Sequence, residues 1–161
     1  MNWLPNLDGI NWLLKNVFPK VKQTEKSAEI HIAGRAMSTK LKSHKQDGYY
    51  NHGEVKNAED FMSKHKVMLI PLFSGSGIRV KIIEGMSLGK CIISTSIGVK
   101  GINCTNNKNI LIANSKNEFI KAMCFCIQNP DKVYEIGNEA KKYARDNFSK
   151  KNIINKLNKI I

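Results

Sequence analysis

The chain has 161 residues with a formal net charge of +13, 42% hydrophobic side chains and only four prolines. That length suits one domain with a real core and is short for a two-domain enzyme, and the composition excludes disordered, collagen-like and low-complexity classes. The charge would draw anions, but it comes almost wholly from Lys spread along the chain, with guanidinium groups only at Arg35, Arg79 and Arg145; nucleic-acid readers lean on clustered Arg, so no nucleic-acid partner is expected.

The opening MNWLPNLDGINWLL carries Asp8 and no basic leader, so it reads as neither a secretory signal nor a spanning helix, and a cytoplasmic location is expected. Asn6 or Pro5 can open a helix with Leu7, Ile10, Leu14, Val17 and Phe18 on its buried face, and Pro19 is expected near its end. Trp3 and Trp12 read as anchors of that helix to a core. AEIHIAG at 28–34 alternates as a strand and runs into a glycine turn. The polar stretch 37–48 holds at most a short helix, YYNH at 49–52 is a brief strand, and Asn57 caps a short helix through Phe61.

VMLIPLF at 67–73 is continuously apolar, as expected of a strand covered on both faces in a parallel sheet. A helix is expected from Ile78 to Leu88, stopped by Gly89. KCIIST at 90–95 and NILIA at 109–113 are the next strands. Ser115 and Glu118 form a capping box for a helix to about Gln128, and two further helices are expected at about 130–147 and 149–160. The alternation predicts an α/β, Rossmann-like, doubly wound parallel sheet of about five strands, with helices on both faces and a helical tail at 130–161; residues 1–161 are read as one domain. Ligands of such sheets sit at the carboxyl ends of the strands, here the loops after Ala33, His52, Leu72 and Thr95.

The four cysteines, Cys91, Cys104, Cys124 and Cys126, lack metal-site spacing, and no metal is expected. His31 reads as a packed or edge histidine and His52 as the end of a strand. The informative stretch is PLFSGSGIRVKIIEGMSLGKCIIST at 71–95. Gly75 and Gly77 let backbone amides approach an anion, and a helix starting near Ile78 would aim its free N–H groups at the same point. Arg79 and Lys81 would then lie in the helix's first turn, where cations are unfavourable unless an anion compensates. Glu84 either offers its carboxylate to paired ribose hydroxyls or forms a surface pair with Lys81 worth about 0.3 kcal/mol. Val80 stands where the dinucleotide fingerprint needs its third glycine, and no G-K-S or G-K-T is present.

The whole stretch resembles the carboxyl-terminal domain of family-4 retaining glycosyltransferases of the GT-B type, in the subgroup whose loop reads G-S-G-x-R-x-K-x-x-E. The resemblance covers nearly the whole chain: LPNLDGINWLLKNVFP at 4–19, EIHIAGR at 29–35, HGEV at 52–55, the loop and helix at 74–89, and STSIGVKGI at 94–102. It implies that a nucleoside-diphosphate sugar, a substrate rather than a cofactor, binds between two Rossmann-like domains and chiefly to this one. Glu84 would bind the ribose, the amides of Gly77, Ile78 and Arg79 with the Gly75–Ser76 turn would meet the diphosphate, and Arg79 and Lys81 would balance its charge. Gly53, Glu54 and Val55 would contact the base, with Gly34 and Arg35 nearby.

Two departures accompany the resemblance. Many members carry E-x7-E, and Ser76 replaces its first acid. The family also has a central strand and an amino-terminal acceptor domain that these residues do not include, so the chain is expected to bind donor weakly and to transfer no sugar alone, or to be a noncatalytic nucleotide-binding or interaction module. The partners this implies are the donor, the acceptor domain and a second copy lending a strand. The last helix, where Lys150, Lys151, Lys156 and Lys159 accompany Ile153, Ile154, Leu157 and Ile160, is expected to pack its apolar face on the domain or on the acceptor domain, with peripheral contact to an anionic membrane on the inner face as the alternative.

Overall fold

A computed structural model describes residues 4–149. Its elements follow one another as α1 (Leu4–Trp12), a π-helical turn (Leu13–Val17), α2 (Phe18–Thr24), β1 (Ile30–Ile32), α3 (Thr39–Ser43), β2 (Tyr49–Asn51), α4 (Ala58–Ser63), β3 (Val67–Ile70), α5 (Val80–Ser87), β4 (Cys91–Ser94), β5 (Leu111–Ile112), α6 (Lys116–Gln128) and α7 (Pro130–Phe148). The lysines and apolar residues of the helix expected at 149–160, all within 150–160, and Trp3 lie outside the described residues.

All pairings of the named strands are parallel, with β1 beside β2 and β3–β4–β5 forming a second group. β4 is paired on both sides and buried on both faces. Its alternation sends Cys91 and Ile93 to one core and Ile92 to the other. The first core joins them to the initial helices, α6, and the inward residues Ile30 and Ile32 of β1. The second packs Ile82 and Met86 of α5 and Ala140 and Ala144 of α7 beneath Ile92. This is the predicted doubly wound α/β arrangement, and each fully buried side chain such as Ile92 or Phe119 contributes roughly 1.5–3 kcal/mol by leaving water.

Two strand expectations need qualification. β3 is not covered along its length: Val67, Met68 and Leu69 stay partly exposed, and only Ile70 is buried. The cause lies beside it, where a cavity of about 760 Å³ is lined by β1 on one flank and β3 on the other. The expected single sheet is thus split into two parallel groups that face each other across a gap.

Pro19 does not end the first helix. The π turn widens the hydrogen-bond ladder just before it, so Pro19 falls at the first turn of α2, where a missing N–H costs nothing, and the helical path continues to Thr24. Trp12 packs edge-on against Phe73 at 4.7 Å and Phe119 at 5.3 Å between ring centroids, tying the first helix to α6 and to the segment after β3. The predicted caps hold: Asn57 accepts from the amides of Glu59 and Asp60, and Ser115 and Glu118 form the capping box. Among the cysteines, Cys91 and Cys126 lie buried with sulfurs 4.0 Å apart, and the Cys91 thiol followed by burial pushes the Cys126 thiol upward.

Gly9 brings α1 against the end of β3, since a Cβ built on it would stand 1.9 Å from the Pro71 carbonyl oxygen. Gly9→Ala must push the helix off that segment. Overpacking of this kind costs about 1–3 kcal/mol, read as a lower denaturant midpoint with an unchanged slope.

Candidate donor-binding site

Parallel strands place all their carboxyl ends on one edge, and the candidate residues gather there in two groups. At the ends of β1 and β2 the amide of Gly34 donates to the carbonyl of Gly53 (2.7 Å), and His52 N–H donates to Ile32 (2.9 Å). These bonds keep the two loops side by side. Gly53 has φ +64° with open space where a Cβ would stand, so its turn, not crowding, calls for glycine. Arg35 and Glu54 form an exposed ion pair at 3.0 Å, and exposed pairs contribute roughly 0–1 kcal/mol. Both are available to exchange each other for a ligand. Arg35, Glu54 and Val55 also line the cavity.

The second group follows β3. Two hydroxyls hold its end: Ser94 Oγ donates to the carbonyl of Ile70 (3.1 Å), and Thr95 Oγ1 donates to that of Leu72 while accepting the amide of Gly98 (3.0 Å). Residues 73–78 then run exposed over the surface, with φ +109° at Gly75 and +80° at Gly77. Among the described residues, the amides of Gly75, Ser76, Gly77 and Ile78 donate to no internal acceptor. A run of free amides at the entrance to a helix is an arrangement able to receive an anion.

The helix begins at Val80, not at Ile78. Arg79 is therefore its N-cap, in extended conformation, and not a first-turn cation. Its side chain is 8% exposed and folds back so that Nη1 donates to the carbonyls of Ser76 and Gly77. By occupying those carbonyls it turns the amides of the same peptides outward, so Arg79 braces the loop from within.

Lys81 does lie in the first turn and is half-buried. It makes no ion pair with Glu84; Nζ donates instead to Asn6 Oδ1 at 2.5 Å, and burial followed by the nearby Arg79 charge lowers its pKa. Glu84 is exposed on α5, and its carboxylate has no partner among the described residues. The relation of Glu84 to Gly77 is not that of a shared helical stripe, because Gly77 lies outside the helix.

Sequence reasoning missed the role of Asn6, seen only as a helix opener, and the two hydroxyls of Ser94 and Thr95. Pairing Asn6 with Lys81 needs a contact 75 residues apart, for which one sequence holds no signal. His31 stacks on Tyr50 (4.8 Å) and meets His52 (Nδ1 to Nε2, 3.0 Å) and His65 (ring centroids 4.5 Å), in an aromatic cluster completed by Phe61. It is the packed histidine expected, and His52 ends β2 beside it.

The profile of the family described as glycosyl transferases group 1 matches residues 1–129, and the chain belongs to that family. An uncharacterized 44.6 kDa protein in the cps region of Klebsiella pneumoniae is 24% identical over 163 residues, spanning 94% of this chain and 42% of the relative. The chain therefore spans less than half the length of that protein. Among solved structures, S. aureus TarM in a complex containing UDP superposes with a TM-score of 0.76 at 18% identity, over 93% of this chain and 32% of TarM. The C-terminal domain of the group 1 family protein LpcC from Francisella tularensis gives 0.58 at 12% identity, over 81% of this chain and 92% of that domain. These likenesses show the fold, that of the C-terminal Rossmann-like half of a GT-B glycosyltransferase. No helix among the described residues is long and apolar enough to cross a membrane.

The histidine cluster gives stability a pH dependence. Burial first, then the charges on His31, His52, Lys90 and Lys64, hold His65 below its ordinary 6.5. The unfolded chain binds protons here that the folded chain resists, so this contribution is intact above about pH 6.5 and falls as pH drops toward the folded-state value. The denaturant midpoint should decrease between about pH 7 and 5.5, and His65→Gln should flatten that slope.

Proposed function

We propose that this chain is the donor-binding half of a glycosyltransferase and holds a nucleoside-diphosphate sugar at the carboxyl edge of its strands. The observation that carries the reading is the run of free amides at 75–78, braced by Arg79 and facing outward at the start of α5. A diphosphate accepts from several N–H groups at once and is favoured by the positive end of the helix. Lys81, whose pKa is lowered by burial, gains an anionic neighbour on binding, which returns it toward its ordinary value and adds to affinity. Glu84 offers an unshared carboxylate to the ribose hydroxyls. Gly53 and Val55, with Gly34 and Arg35 behind them, form the base end.

The sugar donor is read as a hexose carrier, and the cps-region relative suggests capsule or envelope polysaccharide as the product. UDP in the TarM complex makes UDP the first nucleotide to test. Departure of the nucleoside diphosphate needs charge stabilisation, which these amides and cations supply; positioning of an acceptor hydroxyl needs surface that these residues lack. The 161 residues alone should therefore bind UDP and transfer no sugar. A noncatalytic nucleotide-binding module is the second reading, favoured by the unfilled gap between β1 and β3.

Calorimetry with UDP separates the roles. Glu84→Ala and Lys81→Ala should each weaken binding about tenfold or more, as loss of one charged hydrogen bond costs about 1.5–3 kcal/mol. Both should leave the circular dichroism spectrum unchanged. Unaltered affinity in both variants would remove the assigned site, and sugar transfer by the purified chain would overturn the claim that it is catalytically incomplete.

A further inference from the structure

The first helix meets the segment that carries the exposed loop at three points, and all three lie on one slanting stripe of it. Asn6 Oδ1 accepts from Lys81 Nζ at 2.5 Å, Gly9 packs against the Pro71 carbonyl, and the Trp12 ring meets Phe73 edge-on with centroids 4.7 Å apart. Residues three apart on a helix are surface neighbours, so 6, 9 and 12 of α1 act together. Their partners at 71, 73 and 81 bracket the free amides of 75–78 on both sides. Helix α1 is thus fastened to the end of β3 and, through Asn6, to the first turn of α5.

The chemistry of the Asn6 contact is unusual for a half-buried ammonium. Among the described residues Lys81 meets no carboxylate: it passes over Glu84, and Arg79 adds a second positive charge nearby. Its partner is an amide oxygen. A carboxylate at position 6 would hold Lys81 more firmly and cancel its charge, because an ion pair presents little net field to a third ion. A neutral acceptor fixes the ammonium in place and leaves its attraction for an anion whole. The fold loses stability by this choice, since a partly desolvated cation without a counterion is costly. Such a loss is expected where a group is kept for binding.

We propose that Asn6 is a positioning residue of the donor site: it acts through Lys81, holding the ammonium at the start of α5 with its charge uncompensated, for the diphosphate received at 75–78. The inference rests on the donor-site reading. It adds that α1, which carries none of the residues assigned to the ligand, contributes to affinity and does so at the expense of stability.

The test is calorimetry with UDP on the intact chain and on Asn6→Ala, Asn6→Asp, Lys81→Ala and the double variant Asn6→Ala/Lys81→Ala. Asn6→Ala should weaken binding about threefold or more, and Asn6→Asp about tenfold, by pairing with the ammonium. Asn6→Ala should cost nothing further once Lys81→Ala is in place. Asn6→Asp should also raise the denaturant midpoint, because it supplies the missing counterion, and most of that rise should vanish in the Lys81→Ala background. A purely structural role would move stability and affinity in the same direction. The affinity gap between Asn6→Asp and the parent should narrow as pH rises from about 7 to about 9.5, as the parent's Lys81, its pKa lowered by burial and then by Arg79, loses its proton first. If Lys81→Ala weakens binding while both Asn6 variants bind as the parent does, the inference fails and the donor site stands. An Asn6→Ala loss that persists in the Lys81→Ala background would also overturn it, because Asn6 would then meet the ligand directly. Silence of Lys81→Ala together with Glu84→Ala would instead remove the donor-site reading and the inference with it.

Discussion

The described structure depends on Cys91–Ser94, the strand that is paired on both sides and buried on both faces. Its alternation divides the apolar residues into two cores, and its last residue, with Thr95, reaches across to hold the carbonyls of Ile70 and Leu72. Those bonds determine where β3 ends and hence where the exposed loop begins. The loop is held before its start by Ser94 and Thr95 and from within by the guanidinium of Arg79, which takes the carbonyls of Ser76 and Gly77 and leaves the amides of 75–78 free. Amides can stay free for a ligand only if the chain around them is held by something else, and here that is hydroxyls and one buried cation.

Much of this was legible in the sequence, for identifiable reasons. Continuous apolar runs such as CIIS state burial on both faces, and Ser115 with Glu118 states a helix start through local hydrogen bonds alone. The G-S-G loop and its helix were visible because positive φ and free amides are backbone properties that glycine announces. What was not legible depended on side-chain partners that helical spacing does not rank. Arg79 moved from the first turn to the N-cap because its side chain found carbonyls in its own loop, and Lys81 passed over the nearby Glu84 for Asn6. Helical spacing ranks neighbours, but it cannot weigh them against a partner from another element. Pro19 failed as a stop signal because a π turn ahead of it had already shifted the ladder.

The half-exposure of β3 has a different source. An apolar run predicts that a strand will be covered, but it does not say by what. Val67, Met68 and Leu69 have the composition of an interior strand and the accessibility of an edge. Natural edges are usually blunted by charge, proline or a bulge. Here Val67–Ile70 contains none of these, and Pro71 follows only after the strand has ended.

That mismatch bears on the candidate site. Asn6, Arg35, Val55 and Lys81 border the same cavity whose walls are β1 and β3, so the two halves of the candidate site are carried by strands that have no direct bond to each other. The separation of the turn at Gly53–Val55 from the loop at 75–79 is set across this cavity, by the first helix and its Lys81–Asn6 and Gly9–Pro71 contacts.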